Sequence, residues 1–409
     1  MSIPLNDLNA NPQTDTRNKG LAIWQLGFRP FFFCASLYAV ITMLLWLGIR
    51  HGLHFPGLNY YGINLWHAHE MVFGYGLAVI AGFLLTAIKN WTGVSTAAHG
   101  QLKILVLLWF LGRVVVFLPS VPFGLLAFID VLFNLVLIYF IAQPLVKVGN
   151  KRNYKMIVLV SLFASMNVMT HAMLLVKQPL LAMQMTGTAL FLMLLLIGVM
   201  AGRVFPMFSQ NGVTEHYKAK SYPWLEKLWP PVMIAFVVTI NWFRLTAWGS
   251  WLLLGLSIVS FGLHAVRLAG WYNRQIWQKP LVWVLHVAYA FFVLGFAATA
   301  VSVYWPFGYF LALHLFTVGC LAMVTLGMMA RVSFGHTGRN LHQPPAVLFW
   351  SFSLLVASTV IRVLFPALNL MSYQVVVDLS GGLWVLAFGL FFVRYAGIWL
   401  KPRVDGQPG

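Results

Sequence analysis

The chain has 409 residues, of which 60% are hydrophobic and only 8% charged, and its mean hydropathy is +0.82. Soluble domains carry about 25% charged residues, so a soluble globular fold is excluded and a polytopic protein of the lipid bilayer is implied. The formal net charge of +18 does not make a nucleic-acid binder, because the 26 basic residues are spread singly along apolar stretches rather than gathered in an arm.

Residues 1–20 are polar, rich in Asn, Asp and Thr, and lack the apolar core of a signal peptide, so they read as a tail. Apolar runs of spanning length follow at about 31–49, 65–88, 101–118, 122–146, 154–176, 180–204, 228–247, 248–268, 281–304, 307–331, 345–365 and 372–399. The fold class is therefore all-α, with about twelve transmembrane helices in a single domain over 21–404 and a short tail at 405–409. Proline-bearing breaks such as Pro56-Gly57, Pro179, Pro223 and Pro280 separate the runs. Cys34 and Cys320 both sit inside apolar runs and build neither a disulfide framework nor a CxxC metal motif.

Twelve spans place both termini on one side. Assigning the loops accordingly collects 21 Lys and Arg residues on the side of the termini and leaves five (Arg50, Arg113, Lys177, Arg244 and Arg362) on the other. By the positive-inside rule both termini are expected to be cytoplasmic, with the head of the second helix at the outer face.

The second, sixth and tenth runs end in related polar turns: Lys89–Gly93, Met200–Gly212 and Met329–Gly338. The third run of each group of four also carries one arginine near its outer end, namely Arg113, Arg244 and Arg362. Three four-helix repeats are expected from this pattern, over 21–148, 154–270 and 281–400, against the alternative of one bundle without internal repetition.

The chemistry concentrates at Trp66-His67-Ala68-His69-Glu70-Met71, where imidazoles and a carboxylate stand at membrane depth at high cost. Helical spacing puts His67, Glu70 and Met71 on one face and His69 on another, beside Phe73. His171 on the fifth helix and His314 on the tenth are expected at the same level. Imidazole ligates haem iron, copper and zinc, and two histidines on facing helices can hold haem b. His67 or His69 with His314 are the expected axial pair, with Glu70 accepting a ring N–H of the ligand. Hydrogen bonding between helices is the competing role for such histidines.

Met166, Met169, Met173, Met183 and Met185 surround His171 in sequence, and thioether with imidazole suits Cu(I), although methionine also fills gaps in apolar cores. His264 and His286 belong near the inner end and are not expected to be ligands of the outer site. Arg113 with Asp130, and Arg362 with Asp378, are expected to pair across hairpins. Alternatively one of these arginines, with Trp66, grips haem propionates. Gly198-xxx-Gly202 and Gly74-x-Gly76 admit a close neighbour, either backbone or a flat macrocycle.

Together the segments Gly27-Phe28-Arg29-Pro30-Phe31-Phe32, Trp66–Tyr75, Ala201-Gly202-Arg203-Val204-Phe205-Pro206-Met207-Phe208 and Ala330-Arg331-Val332-Ser333-Phe334-Gly335-His336-Thr337-Gly338 resemble the NnrS family over nearly the whole chain. That resemblance implies a haem- and copper-containing protein of the bacterial inner (cytoplasmic) membrane, linked to nitric oxide metabolism, denitrification and nitrosative stress resistance. Nitric oxide is then an expected ligand. A fold-level likeness to the large subunit of haem-copper oxidases and nitric oxide reductases implies a second-helix and a tenth-helix histidine ligand, but the sixth and seventh runs carry no histidine. A redox enzyme taking electrons from quinol or another donor, and a transporter, remain as the other readings.

Overall fold

Apolar runs bounded by proline, glycine or a capping hydroxyl become helices because a backbone in hydrocarbon must satisfy its own hydrogen bonds. The structure, a computed structural model, describes residues 22–213 and 217–407, and no strand occurs among them. The expected tail at 1–20 lies outside the described residues. Among the described residues eleven helices are long and apolar enough to span: α1 (Phe28–Arg50), α2 (Ile63–Thr92), α3 (His99–Phe117), α4 (Phe123–Val148), α5 (Lys151–Leu175), α6 (Pro179–Gly212), α8 (Ala247–Trp271), α9 (Pro280–Val301), α10 (Phe307–Gly335), α11 (Val347–Ala367) and α12 (Tyr373–Leu400). Between α6 and α8 lies α7, Pro223–Val238, prolonged by the π turn Thr239–Phe243. Glu226, Lys227 and the Pro230-Pro231 pair dilute its apolar stretch.

Two of the boundaries that differ from the sequence reading have a local physical cause. The seventh and eighth runs were expected to abut at 247/248, but α7 ends at Phe243 and Thr246 caps α8 by accepting the Gly249 N–H at 3.2 Å. Hydrophobicity alone cannot see that cap. The sixth helix continues past the expected end near 204 to Gly212, with Pro206 inside it, so the polar segment that matched the ends of α2 and α10 is here still helical. In contrast, α2 ends on Gly93 and the chain beyond α10 turns on Gly338, both at φ +70°.

α1 packs against α12 and so joins the two ends of the chain, while α2, α6 and α10 touch one another at the centre. Both α2 and α10 carry π turns on the central bundle, Glu70–Gly76 and Leu315–Ala322, each starting directly after a histidine, His69 or His314. Such turns rotate the side chains beyond them relative to a regular helix and gather at functional sites.

The Arg113–Asp130 pair forms across α3 and α4 as expected. The Arg362–Asp378 pair does not. Asp378 bonds the His51 imidazole of α1's end at 3.0 Å and Gln374 at 3.1 Å, whereas Arg362 reaches the Tyr373 hydroxyl at 3.0 Å. α12 turns Asp378 toward its α1 neighbour rather than toward α11.

Candidate functional site

His67 of α2 and His314 of α10 line one cavity of about 390 Å³, walled also by α1, α6, α7, α11 and α12. Trp46 stacks on the His67 ring with centroids 4.2 Å apart, and His67 Nδ1 is buried without a hydrogen-bond partner. His314 directs Nδ1 to the Phe310 carbonyl at 2.8 Å, which commits that nitrogen as the donor and leaves Nε2 available as a ligand.

Met71 and Met183 contribute thioethers to the wall, and Arg244 and Arg362 contribute guanidinium groups. Arg244 lies over the Tyr309 ring at 4.1 Å, and Arg362 over Phe310 and Tyr373 at 4.8 and 5.1 Å. Neither has a carboxylate partner among the described residues, and Arg362 Nη1 is buried with no hydrogen bond. Two unneutralised cations at a largely apolar cavity fit a flat, apolar ligand with anionic groups at its edge.

His69 serves a different neighbourhood. Its Nδ1 meets Glu70 at 3.0 Å, and its Nε2 meets Asn167 Oδ1 at 3.1 Å and Asp130 Oδ2 at 3.3 Å. His171 Nε2 reaches the same Asp130 oxygen at 3.1 Å, while its Nδ1 contacts the Tyr60 hydroxyl at 3.0 Å. One ligand atom from each of His69, Asp130 and His171 lies within 4.8 Å of the others, all three residues being buried. Both imidazoles thus aim Nε2 at one carboxylate oxygen and have Nδ1 fixed from behind, the arrangement by which proteins orient metal-binding histidine.

Around that group, Glu70 accepts from the Tyr38 hydroxyl and lies 3.0 Å from Arg113 Nε, and Arg113 also donates to the Phe73 carbonyl at 3.2 Å. Asn167 Nδ2 donates to Asp130 Oδ2 at 2.8 Å. The crowding requires Gly74, where a Cβ would stand 2.7 Å from Tyr38 Cε1 and 2.8 Å from Glu70 Oε2.

Several expected groupings are corrected by this geometry. Glu70 does not share His67's face: Tyr38 and Arg113 hold its carboxylate on the His69 side, at the first residue of the π turn. Arg113 is committed to Asp130 and Glu70 and does not line the cavity. Trp66 is buried edge-on against Phe55 and is also absent from the cavity wall. Met169 is 41% exposed on the outside of α5, and Met173 is half-buried against the hydrophobic core.

Gly198 and Gly202 make room for Trp229 and for Arg267, which chelates Glu226 at 2.7 and 2.8 Å. No macrocycle is needed to explain them. His264 contacts the Tyr289 hydroxyl at 2.6 Å, and both ring nitrogens of His286 meet backbone carbonyls at 3.1 Å. Neither lines the cavity.

Sequence reasoning passed over Arg244, Tyr309, Asn167 and Tyr60. Arg244 was visible as the middle member of the three matching arginines, but Tyr60 and Asn167 carry no signal until the helices are assembled.

The model of one protein family, described as NnrS protein, matches residues 22–403. The chain belongs to the NnrS family. A search of curated proteins finds no match. NnrS proteins are generally metal-associated, and in this NnrS chain the His69–Asp130–His171 group is able to hold a metal ion.

Proposed function

We propose that the chain is a haem b-binding protein of the bacterial inner membrane, acting in nitric oxide metabolism and nitrosative stress resistance, with the haem seated in the His67–His314 cavity. The observation that carries this reading is that histidines from two facing helices line one cavity together with Arg244 and Arg362. The donor set fits the group: His314 has one nitrogen anchored and one available, and two guanidiniums without carboxylates suit propionates. When bound, haem supplies an iron able to take nitric oxide. The chain's own residues hold the imidazoles in orientation, seat the edge charges and surround the site with Trp46, Leu190 and Leu321.

In the same proposal the second metal, copper by family resemblance, belongs at His69, Asp130 and His171, with Asn167 Oδ1 beside it. This is a nitrogen and oxygen set that suits a divalent ion better than the thioether set expected from sequence. We place both termini in the cytoplasm on the distribution of 21 basic residues against five. We read α1–α4, α5–α8 and α9–α12 as three units whose second helices meet at the centre.

The test is an absorption spectrum of the purified protein, reduced and then exposed to nitric oxide, beside His67→Ala and His314→Ala. A Soret band that shifts with nitric oxide in the parent and is lost or displaced in both variants is the expected result. Parent-like spectra in both variants overturn the assignment.

A further inference from the structure

A second cavity, of about 540 Å³, lies at the other end of the same three central helices, and nothing in the proposed function uses it. Its wall comes from the last turns of α2 (Thr86, Asn90, Trp91), the α4–α5 junction (Asn150, Arg152, Asn153), α6 (Arg203) and the end of α10 (His336). On α2 the nearest lining residues of the two cavities, Tyr75 and Phe83, stand eight positions apart, about 12 Å along the axis, so they are distinct spaces.

The lining contains two arginines and a histidine but no acid. Every described acid is engaged elsewhere: Glu70 and Asp130 with Arg113, Glu226 with Arg267, Asp378 with His51, and Asp405 with Arg403. Lys155 lies within the field of both Arg152 and Arg203, and His336 feels Arg403, Lys89 and Arg29. Burial, reinforced by those cations, lowers the basicity of the His336 imidazole.

Like charges that face one cavity repel each other, and an anion bound between them replaces that repulsion with attraction. The donors are of the right kind, since guanidinium groups bind tetrahedral oxyanions in bidentate fashion and side-chain amides add neutral donors. We propose that this cavity is a binding site for a phosphate-type oxyanion, held by Arg152 and Arg203 with amide donors from Asn90 and Asn153. Two sources share that chemistry, the phosphodiester of an anionic lipid and free inorganic phosphate, because basic pockets between helices on the cytoplasmic side recruit lipid headgroups.

The experiment compares the parent, the double variant Arg152→Gln/Arg203→Gln, the conservative Arg203→Lys and the control Arg274→Gln, which removes an exposed charge outside the cavity. Thermal melting is measured in neutral detergent with and without inorganic phosphate at matched ionic strength. It is repeated in nanodiscs of phosphatidylcholine alone or with phosphatidylglycerol. A midpoint raised by phosphate in the parent, Arg203→Lys and Arg274→Gln but not in the double variant identifies a free-oxyanion site. The same pattern with phosphatidylglycerol, and no response to phosphate, identifies the lipid headgroup. Equal responses of parent and double variant to both probes, or no response in the parent, overturn the proposal. Each readout is a ligand-induced shift within one protein, so a lower starting midpoint in the double variant does not obscure it.

Discussion

His67 and His69 stand two positions apart on α2, yet His67 stacks on Trp46 in the α2–α10 cavity while His69 bonds Asn167 of α5 at 3.1 Å. Two residues advance about 200° around a helix, so adjacent histidines in sequence belong to separate sites. Their variants should therefore separate two properties. His69→Ala and His171→Ala are expected to keep the Soret band of the parent and to lose the non-haem metal in elemental analysis, whereas His67→Ala should do the reverse. Loss of haem in His171→Ala, with the protein still folded, contradicts the two-site arrangement.

Gly74 is where α1, α2 and α3 converge. A methyl group there meets Tyr38 Cε1 at 2.7 Å and Glu70 Oε2 at 2.8 Å, and these two groups are bonded to each other, so neither yields without breaking a buried contact. Gly74→Ala should lower stability by about 1–3 kcal/mol, the usual range for overpacking. Gly382 in α12 has nothing within 4 Å of its added Cβ, and Gly382→Ala should be neutral or stabilising by up to about 1 kcal/mol through helix propensity. Thermal melts of the two variants side by side decide the point, since equal shifts in both leave no special role for the close approach at Gly74.

Much of the fold was readable because hydropathy is a one-dimensional property. Runs of spanning length found the helices to within a turn or so at most ends, and a cap at Thr246 and a tolerated Pro206 explain two of the differences. Site membership was less readable because it is a matter of helix phase. The spacing rule correctly separated His67 from His69, but it put Glu70 with His67. It could not anticipate a π turn at that residue, or that Tyr38 from α1 and Arg113 from α3 would hold the carboxylate. Nearness in sequence is likewise no guide to phase, since Met169, two residues before His171, stands 41% exposed on the outside of α5.

Orientation in the membrane sets which cavity faces which compartment. The second cavity sits among Arg152, Arg203 and Lys155, and the first beside the head of α2, so the positive-inside rule directs the first outward. Reporter fusions after Lys151 and Lys218 should read cytoplasmic, and one within residues 51–62 should read external. An external reading after Lys151 inverts the assignment and would put the His67–His314 cavity on the cytoplasmic side.

The Arg113 guanidinium holds Asp130 and Glu70 together in a fully buried network, with Gly112, one residue before it, giving Asp130 room to approach. Breaking one side of a buried ion pair leaves an uncompensated charge, which costs about 3–5 kcal/mol, far more than an exposed pair. Arg113→Met should accordingly destabilise by that order, because two carboxylates then face only His69, His171, Asn167 and Tyr38. Arg113→Met/Asp130→Asn removes the charge that the first change strands and should recover part of the loss, giving a favourable coupling between the two positions. Asp130→Asn also removes the carboxylate from the His69–Asp130–His171 group, so the double variant should regain stability without regaining its metal. Thermal melting with elemental analysis reads both effects on one sample. If Arg113→Met costs under about 1 kcal/mol, the range of exposed ion pairs, then Arg113 is not what offsets the burial of the two acids.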